Sequence, residues 1–530
     1  MQQRISHTLR NKVALFLGSE NLSYKKMPGA YIHEVYEVKD GDGSVFVLKI
    51  RGNVFAGNAN LKLLPQDILF EATVLQKCKD AQIEGIPNIV KYFEEENAIL
   101  MEYMAPQNSN LLELLNSKTL KVSDYKNISS SLSDLLTQLN ETKLNVSKDI
   151  MNENFIKRNL VFRVNRHKLT YVDEFVKKSE SFKRYYICGD FSPKNIFMVD
   201  KEVRVCDLDR FQTAPVEFDI YFLLAHIILH NITNPELIAI VKSFQEGLCK
   251  LEDKIQFSTS DIITYILLTM IYRLDNEEIQ YPICTLSEAN KNKLLLKVYF
   301  VLSNGHVFQS VSDLITYLVK HEESEIEAKI LEVDKSQIIE SLIKSGVKIT
   351  LDDTTTIESF EAPDVEPQVF SDVRLDEMIK HLKFITSNFT KKLDETGAYL
   401  RIRKQGRERE FTLKYKINTN DNSYKVEKEI NVSLEDDNFF ASIRMWLEEN
   451  KFIKISNLVK QRTSFASRQF GTQVDIDSWL KPTIPTYIEI EGFDQRSIEA
   501  TAVMLGFESS ALTSISGKEL FKKYNVKRGL

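Results

Sequence analysis

The segment Cys188-Gly-Asp-Phe-Ser-Pro-Lys-Asn195, followed by Val205-Cys-Asp207-Leu-Asp209, places a carboxylate, then a carboxamide, then a further carboxylate behind a short hydrophobic stretch. Phosphoryl transfer uses such a set. It needs a group to orient or deprotonate the acceptor hydroxyl, and oxygen ligands to hold a divalent cation on the phosphates. Asp190 suits the first role, and Asn195 and Asp207 offer the hard oxygen donors magnesium prefers. Upstream, Lys49 falls in a β-rich stretch where it could pair with nucleotide phosphates. Glu71 falls mid-helix, where it could hold that lysine. Met101-Glu102-Tyr-Met104 would connect two lobes and offer backbone groups to a nucleobase, and the Gly29–Val38 segment would cover the phosphates with a single glycine. Singly, each feature is commonplace. Asp-x4-Asn usually marks a polar turn, a strand lysine is usually solvated, and a helix glutamate is usually exposed. Their order and spacing together point to nucleotide chemistry.

A second pattern lies toward the C-terminus. Glu325-Ile-Glu327-Ala-Lys329, Tyr399-Leu-Arg401-Ile-Arg403, Thr412-Leu-Lys414-Tyr-Lys416, Lys460-Gln-Arg462 and Glu489-Ile-Glu491 all alternate charged with uncharged residues. Residues i and i+2 of a strand share a face, so each segment offers one charged face. The usual cause is a half-buried sheet wetted on one side. Here, however, the charges are sorted by strand, with acids at both ends of the region and bases between them. Like charges opposite one another repel, so the sorting makes sense if the sheet closes around a polyanion. The bases would then hold phosphates, and the carboxylates a divalent metal.

The elements that must position these residues can be read in outline. His33–Val38 and Val45–Ile50 alternate around the turn Asp40-Gly-Asp-Gly43, and a helix is expected from about Pro65 to Lys79. Another strand is expected at Ala98–Tyr103. From about 108 to 315 the pattern is mainly helical, broken by strand-like Tyr185–Cys188 and Val203–Cys206. Residues 350–372, with Asp352-Asp-Thr-Thr-Thr356, Pro363 and Pro367, read as a polar loop or insertion. Strands are expected again at Tyr399–Arg403, Phe411–Lys416, Tyr424–Val432, Leu458–Arg462 and Tyr487–Glu491, with helices at 437–450 and 494–505. The domains expected are 1–104, 105–318 and 322–530.

Composition bounds the function. The 530 residues, 43% hydrophobic and 27% charged, are those of a globular protein with several cores. A net charge of −6 gives nucleic-acid binding no support. No apolar run approaches the ~20 residues that span a bilayer, and the first residues do not read as a signal peptide. The five cysteines, at 78, 188, 206, 249 and 284, form no Cys-x-x-Cys pair. A reducing, cytoplasmic setting is therefore expected.

The first constellation resembles the aminoglycoside/choline phosphotransferase family of small-molecule kinases. That family carries His-Gly-Asp-x4-Asn followed by Asp-Trp/Phe-Glu/Asp. The match here is Cys188-Gly189-Asp190…Asn195, then Asp207-Leu-Asp209, over about residues 20–310. Asp219 in Glu217-Phe-Asp-Ile matches the family's structural aspartate. Cys188 in place of histidine and the glycine-poor loop are departures. The second pattern resembles the CYTH, or triphosphate tunnel metalloenzyme, superfamily over about 322–530. Glu325, Glu327 and Lys329 match its Glu-x-Glu-x-Lys hallmark. The resemblance implies phosphate contacts at Arg401, Arg403, Lys414, Lys416, Lys460 and Arg462, and metal-side acids at Glu489 and Glu491 with Asp477 as companion.

The two resemblances imply an α+β chain: a bilobal protein-kinase-like fold followed by an antiparallel β-barrel forming a triphosphate tunnel. They imply a bifunctional enzyme using Mg2+ or Mn2+ that moves the γ-phosphoryl of ATP or GTP to a small-molecule hydroxyl and hydrolyses triphosphates. The alternatives are a class IV adenylate cyclase activity in the barrel, or a nucleotide- and triphosphate-sensing regulatory protein. No membrane partner is expected.

Overall fold

The computed structural model describes residues 5–27, 33–51, 54–55, 58–62, 66–104, 109–142, 144, 146, 170–199, 202–275, 286, 288–305, 308–319, 325–345, 347–368, 373–396, 398–406, 408–416, 425–434 and 436–526. The chain divides into two compact units, residues 1–295 with 306–319, and residues 296–305 with 320–530. Among the described residues no helix is long and apolar enough to cross a membrane.

The first unit opens with an antiparallel sheet built from β1 (Ser23–Lys26), β2 (His33–Lys39), β3 (Val45–Arg51), β6 (Ile89–Phe93) and β7 (Ala98–Glu102), in the order β1-β2-β3-β7-β6. A small ribbon of β4 (Val54–Phe55) and β5 (Asn58–Lys62) follows β3. The β2–β3 hairpin turns where Asp40 Oδ1 accepts the backbone N–H groups of Asp42 and Ser44, at 3.0 and 2.8 Å. Alternation sorts the two faces. Val38, Leu48, Ala98 and Leu100 pack with Leu9 and Val13 of the helix His7–Leu17. Lys49 and Arg51 therefore project from the other face of β3. The helix Gln66–Asp80 buries Ile68, Ala72 and Leu75, and carries Glu71 at 1% exposure.

The remainder of this unit is helical around the helix Glu217–His230, which is buried on nearly every side, as its sequence EFDIYFLLAHIILH requires. The helix Thr259–Leu274 packs beside it, with Tyr265 Oη donating to the Phe218 carbonyl at 3.0 Å. Two antiparallel ribbons are set among these helices: β8 (Tyr185–Ile187) with β11 (Gln212–Ala214), and β9 (Ile196–Val199) with β10 (Glu202–Val205). The segment from Cys188 to Asp209 runs through them.

The second unit is a closed antiparallel barrel. Its strands are β12 (Glu325–Ile330), β13 (Lys348–Glu361), β14 (Ala398–Gln405), β15 (Glu408–Lys416), β16 (Lys425–Ser433), β17 (Ile453–Ser467), β18 (Thr472–Lys481) and β19 (Tyr487–Gly492), in the order β12-β16-β15-β14-β13-β17-β18-β19. β12 pairs with both β16 and β19 and so closes the ring. The barrel is inverted relative to an oil-drop core. Ala328, Ile330, Phe465, Val474, Ile476, Ile488 and Ile490 pack outward beneath the helices Lys335–Lys344 and Gln495–Met504. On the other flank Leu400, Ile402, Phe411, Leu413 and Val432 pack beneath the helices Val373–Ile385 and Asp437–Glu449. With apolar side chains outward, the alternating charges face in. Toward the other end of these strands Ile357, Leu458, Trp479 and Tyr487 form an apolar layer against Leu520 and Phe521 of the helix Gly517–Lys523.

Residues 350–372 correct a sequence expectation. Residues 350–361 belong to β13, which pairs with β17 along its length and with β14 over Thr355–Phe360. The run Asp352-Asp-Thr-Thr-Thr356 reads as polar because this strand lines a polar interior, and threonine is a good strand former. β18 and the helices Lys335–Lys344 and Val373–Ile385 were not anticipated at all.

Candidate functional sites

Lys49 anchors the first site. Its ammonium lies 2.8 and 2.6 Å from the two oxygens of Glu71, and 2.5 Å from Asp207 Oδ1. Burial pulls the lysine's pKa down, but Asp207 and Glu71 outweigh it and hold the group well above its usual value. Burial lifts the Glu71 carboxyl to about 7 against the attraction of Lys49. Asp207 stays below its usual range because Lys49 overcomes the cost of burial. It follows β10 with φ +67°, a conformation non-glycine residues seldom adopt. An outlier of this kind at a charged cluster is where functional strain is commonly found.

The loop carrying Asp190 is held from below. Asp219, in the first turn of the buried helix Glu217–His230, accepts the backbone N–H groups of Cys188 and Gly189 at 2.7 and 2.9 Å. Burial pushes its pKa up to about 8 despite these two donors. Gly189 has φ +85°, and a Cβ there would stand 2.1 Å from the Arg210 carbonyl oxygen. Only glycine fits. Cys188 is buried with its thiol pushed well above the ordinary value by desolvation, so it is a packing group. Asn195 donates to the Asp190 carbonyl at 3.1 Å, while its own carbonyl accepts from Cys206 N at 2.9 Å. Asp190, Asn195 and Cys206 are thereby tied together. Asp190 is half-buried, with Ser192 N–H 3.3 Å from Oδ1.

In the segment expected to offer backbone groups to a nucleobase, two residues have partners of their own. The Glu102 carboxylate accepts from Asn88 N and Nδ2 at 3.3 and 2.9 Å. The Met104 carbonyl accepts from Arg204 Nη1 at 2.7 Å. The glycine-containing part of the expected phosphate-covering loop, residues 28–32, lies outside the described residues. Sequence reasoning missed His33, Arg51 and Arg210. Arg210 Nε lies 3.1 Å from Asp209 Oδ1, and His33 Nε2 lies 3.6 Å from Asp209 Oδ2. Burial, then the charge of Lys49, lowers His33 to about 4. Strand alternation could have found Arg51, two residues past Lys49. His33, Asp207 and Asp209 could together hold a metal ion, since their ligand atoms lie within 4.8 Å of one another.

The second site fills the barrel. Lys329 Nζ stands 3.0 Å from Glu327 Oε1 and 3.0 Å from Glu489 Oε2. Lys414 Nζ is 3.6 Å from Glu327 Oε2. Arg462 grips Asp477 with two bonds of 2.8 and 2.7 Å, pairs with Asp475, and lies 3.6 Å from Glu489 Oε1. Lys460 Nζ is 2.5 Å from Asp477 Oδ2 and 5.4 Å from the Trp479 ring centre. Burial, then the neighbouring Arg462, lowers Lys460 to about 8. Arg403 Nη2 pairs with Glu410 at 2.7 Å, and the Arg401 guanidinium lies 5.7 Å from the Tyr399 ring centre. Glu327, Glu489 and Glu491 offer oxygens within 4.8 Å of one another and form the acidic cluster suited to a cation. Asp477 stands with the bases instead. Asp475, fully buried two residues before it, escaped the sequence reading because β18 was not recognised. The side chains of Glu325 and Lys416 lie outside the described residues.

No family model and no curated protein matches the chain. Solved structures resemble its two regions separately. An amicoumacin kinase in complex with AMP-PNP, Ca2+ and Ami is 14% identical, with a TM-score of 0.42, covering 59% of this chain and 98% of that one. A choline/ethanolamine kinase family protein from Mesorhizobium loti is 12% identical, with a TM-score of 0.35, covering 59% and 92%. A Vibrio parahaemolyticus protein provisionally named an adenylate cyclase is 13% identical, with a TM-score of 0.27, covering 38% and 98%. At TM-scores this low, the fold stands on the chain's own strand order and register. The first unit joins a five-stranded antiparallel sheet to a helical region with the Lys49–Glu71 pair buried, and the second is a closed eight-stranded barrel with a charged interior.

Proposed function

We propose that the chain is a bifunctional phosphoryl-transfer enzyme, a nucleotide-dependent small-molecule kinase joined to a metal-dependent triphosphatase. The observation that carries the first activity is the buried contact of Lys49 with both Glu71 and Asp207. In this reading Glu71 orients Lys49 toward nucleotide phosphates, and Asp190 takes the acceptor hydroxyl's proton on a carboxylate oxygen. Asp219 and Gly189 fix the loop so that Asp190 needs little reorganisation. Asn195, Asp207 and Asp209 would hold a divalent cation, Mg2+ or Mn2+, whose chemistry there is neutralising phosphate charge. The donors fit such an ion, since Asp207 and Asp209 bring hard carboxylate oxygens within 4.8 Å of each other.

The barrel reading rests on its inversion, with isoleucines outward and ion pairs inward. Lys329, Lys414, Lys460 and Arg462, with Arg401 and Arg403, would bind a triphosphate. Glu327, Glu489 and Glu491 would hold the cation, which there would polarise a phosphoryl oxygen. The test is incubation of the protein with ATP, inorganic triphosphate and Mg2+ against a panel of small alcohols, with products identified. The expected products are phosphorylated alcohol with ADP from the first activity, and orthophosphate with pyrophosphate from hydrolysis of inorganic triphosphate. A cyclic nucleotide would assign the barrel to cyclisation instead, and intact substrates under all conditions would reduce both units to binding modules.

A further inference from the structure

The kinase-like site holds a group that magnesium chemistry does not call for. His33 opens β2, opposite Arg51 of β3, and Val35 stands opposite Lys49 in the same register. His33 therefore shares the face of the sheet that carries Lys49 toward Asp207. Its ring is 7% exposed. Nε2 lies 3.6 Å from Asp209 Oδ2, beyond good hydrogen-bond length, and 3.5 Å from Arg51 Nη1. Nδ1 is buried and has no hydrogen-bond partner among the described residues. Buried polar atoms are nearly always satisfied, so an orphaned imidazole nitrogen asks for an explanation.

A metal ion would supply one by taking Nδ1, the ring nitrogen left without a partner, while Nε2 stays beside Asp209 and Arg51. The ligand atoms of His33, Asp207 and Asp209 lie within 4.8 Å of one another. Around an octahedral ion with bonds of about 2.1–2.2 Å, ligand atoms stand about 3–4.4 Å apart, a spacing that side chains grouped this closely reach by small adjustments. Lys49 contacts Asp207 through Oδ1 alone, so the carboxylate keeps a second oxygen. Burial, then the charge of Lys49, favours the neutral, ligating form of the imidazole.

Resting on the kinase reading of this site, we propose that His33 is a third protein ligand of its cation, and that the site takes Mn2+ in preference to Mg2+. Magnesium favours all-oxygen ligands and is reluctant to shed water, whereas later divalent ions accept imidazole with carboxylates. The barrel's acidic cluster offers carboxylates and no imidazole, so the two sites would carry different spectroscopic signatures.

The experiment is pulsed electron paramagnetic resonance on the full-length protein titrated with Mn2+ alone, without nucleotide. Wild type is expected to show hyperfine coupling to a coordinated imidazole nitrogen, changing to the 15N pattern in protein labelled with 15N-histidine. In His33→Gln the coupling disappears, and Mn2+ affinity at that site falls by at least about tenfold, the scale on which ligand-shell losses are felt. Mg2+ affinity should change by much less. Bound Mn2+ without nitrogen coupling in wild type, or coupling that persists in His33→Gln, overturns the assignment. The labelled wild type decides the matter even if the variant folds poorly. Phosphotransfer assayed on the same sample separates the two ideas. Nitrogen coupling without phosphotransfer spares the ligand and sinks the kinase, whereas phosphotransfer with Mn2+ lacking nitrogen coupling does the reverse.

Discussion

At the scale of single residues, the two sites differ in how they manage buried charge. Lys49 is a cation shared between two acids, and Asp477 is an acid shared between two bases, Lys460 and Arg462. The base position predicts that Asp190→Ala lowers phosphotransfer by about 10²–10⁴-fold, the usual cost of losing an acid–base group. Steady-state rates with the substitution, on protein of unchanged melting temperature, check this. In the barrel, Glu327→Gln is expected to raise the metal concentration needed for half-maximal triphosphate hydrolysis, whereas Arg403→Ala should raise KM with metal dependence unchanged. If the charges were only structural ion pairs, both variants would keep wild-type kinetics and lose stability alone, by about 3–5 kcal/mol for Glu327, which is buried with Lys329, and by less for the part-exposed Arg403. Lys460 adds a pH test. Its pKa, depressed to about 8, means the ammonium loses charge as pH rises through that value. The KM for triphosphate should then climb above about pH 8. Lys460→Arg, which stays charged, should flatten that limb.

At the scale of elements, the loop from Cys188 to Asn195 depends on one helix end and one glycine. Gly189→Ala forces a Cβ against the Arg210 carbonyl, so phosphotransfer should be lost while barrel hydrolysis persists. Asp219 makes a stability prediction. Its folded pKa of about 8 lies above its ordinary 3.8, so the folded chain keeps a proton that the unfolded chain releases. Its contribution is complete below about pH 4 and fades as pH rises toward 8. The melting-temperature gap between wild type and Asp219→Asn should therefore change across pH 5–8. A gap independent of pH would show that Asp219 is already ionised in the fold. The legible elements were those whose alternation or motif stood out: the β2–β3 hairpin, the Lys49 and Glu71 elements, and the strands with sorted charges. β13 was misread because its threonines and aspartates look like a loop unless the interior they face is known to be polar. β18 was missed although Val474-Asp-Ile-Asp477 alternates apolar with acidic residues; the run is only four residues long and carries no basic residue to mark it as part of the sorted set. His33 was invisible as a site residue because its partners, Asp207 and Asp209, are about 175 residues away in sequence and meet it only through the fold.

At the scale of the whole molecule, the central claim is that one chain carries two phosphoryl-transfer sites with separate machinery. The compact unit around Asp190 and the compact unit around Glu327 each have their own core, acids and bases. The most direct measurement assays ATP-dependent transfer and triphosphate hydrolysis side by side in wild type, Asp190→Ala and Glu327→Gln. The prediction is a crossed pattern: Asp190→Ala loses transfer and keeps hydrolysis, and Glu327→Gln keeps transfer and loses hydrolysis. Both activities falling together in either folded variant would contradict the two-site account.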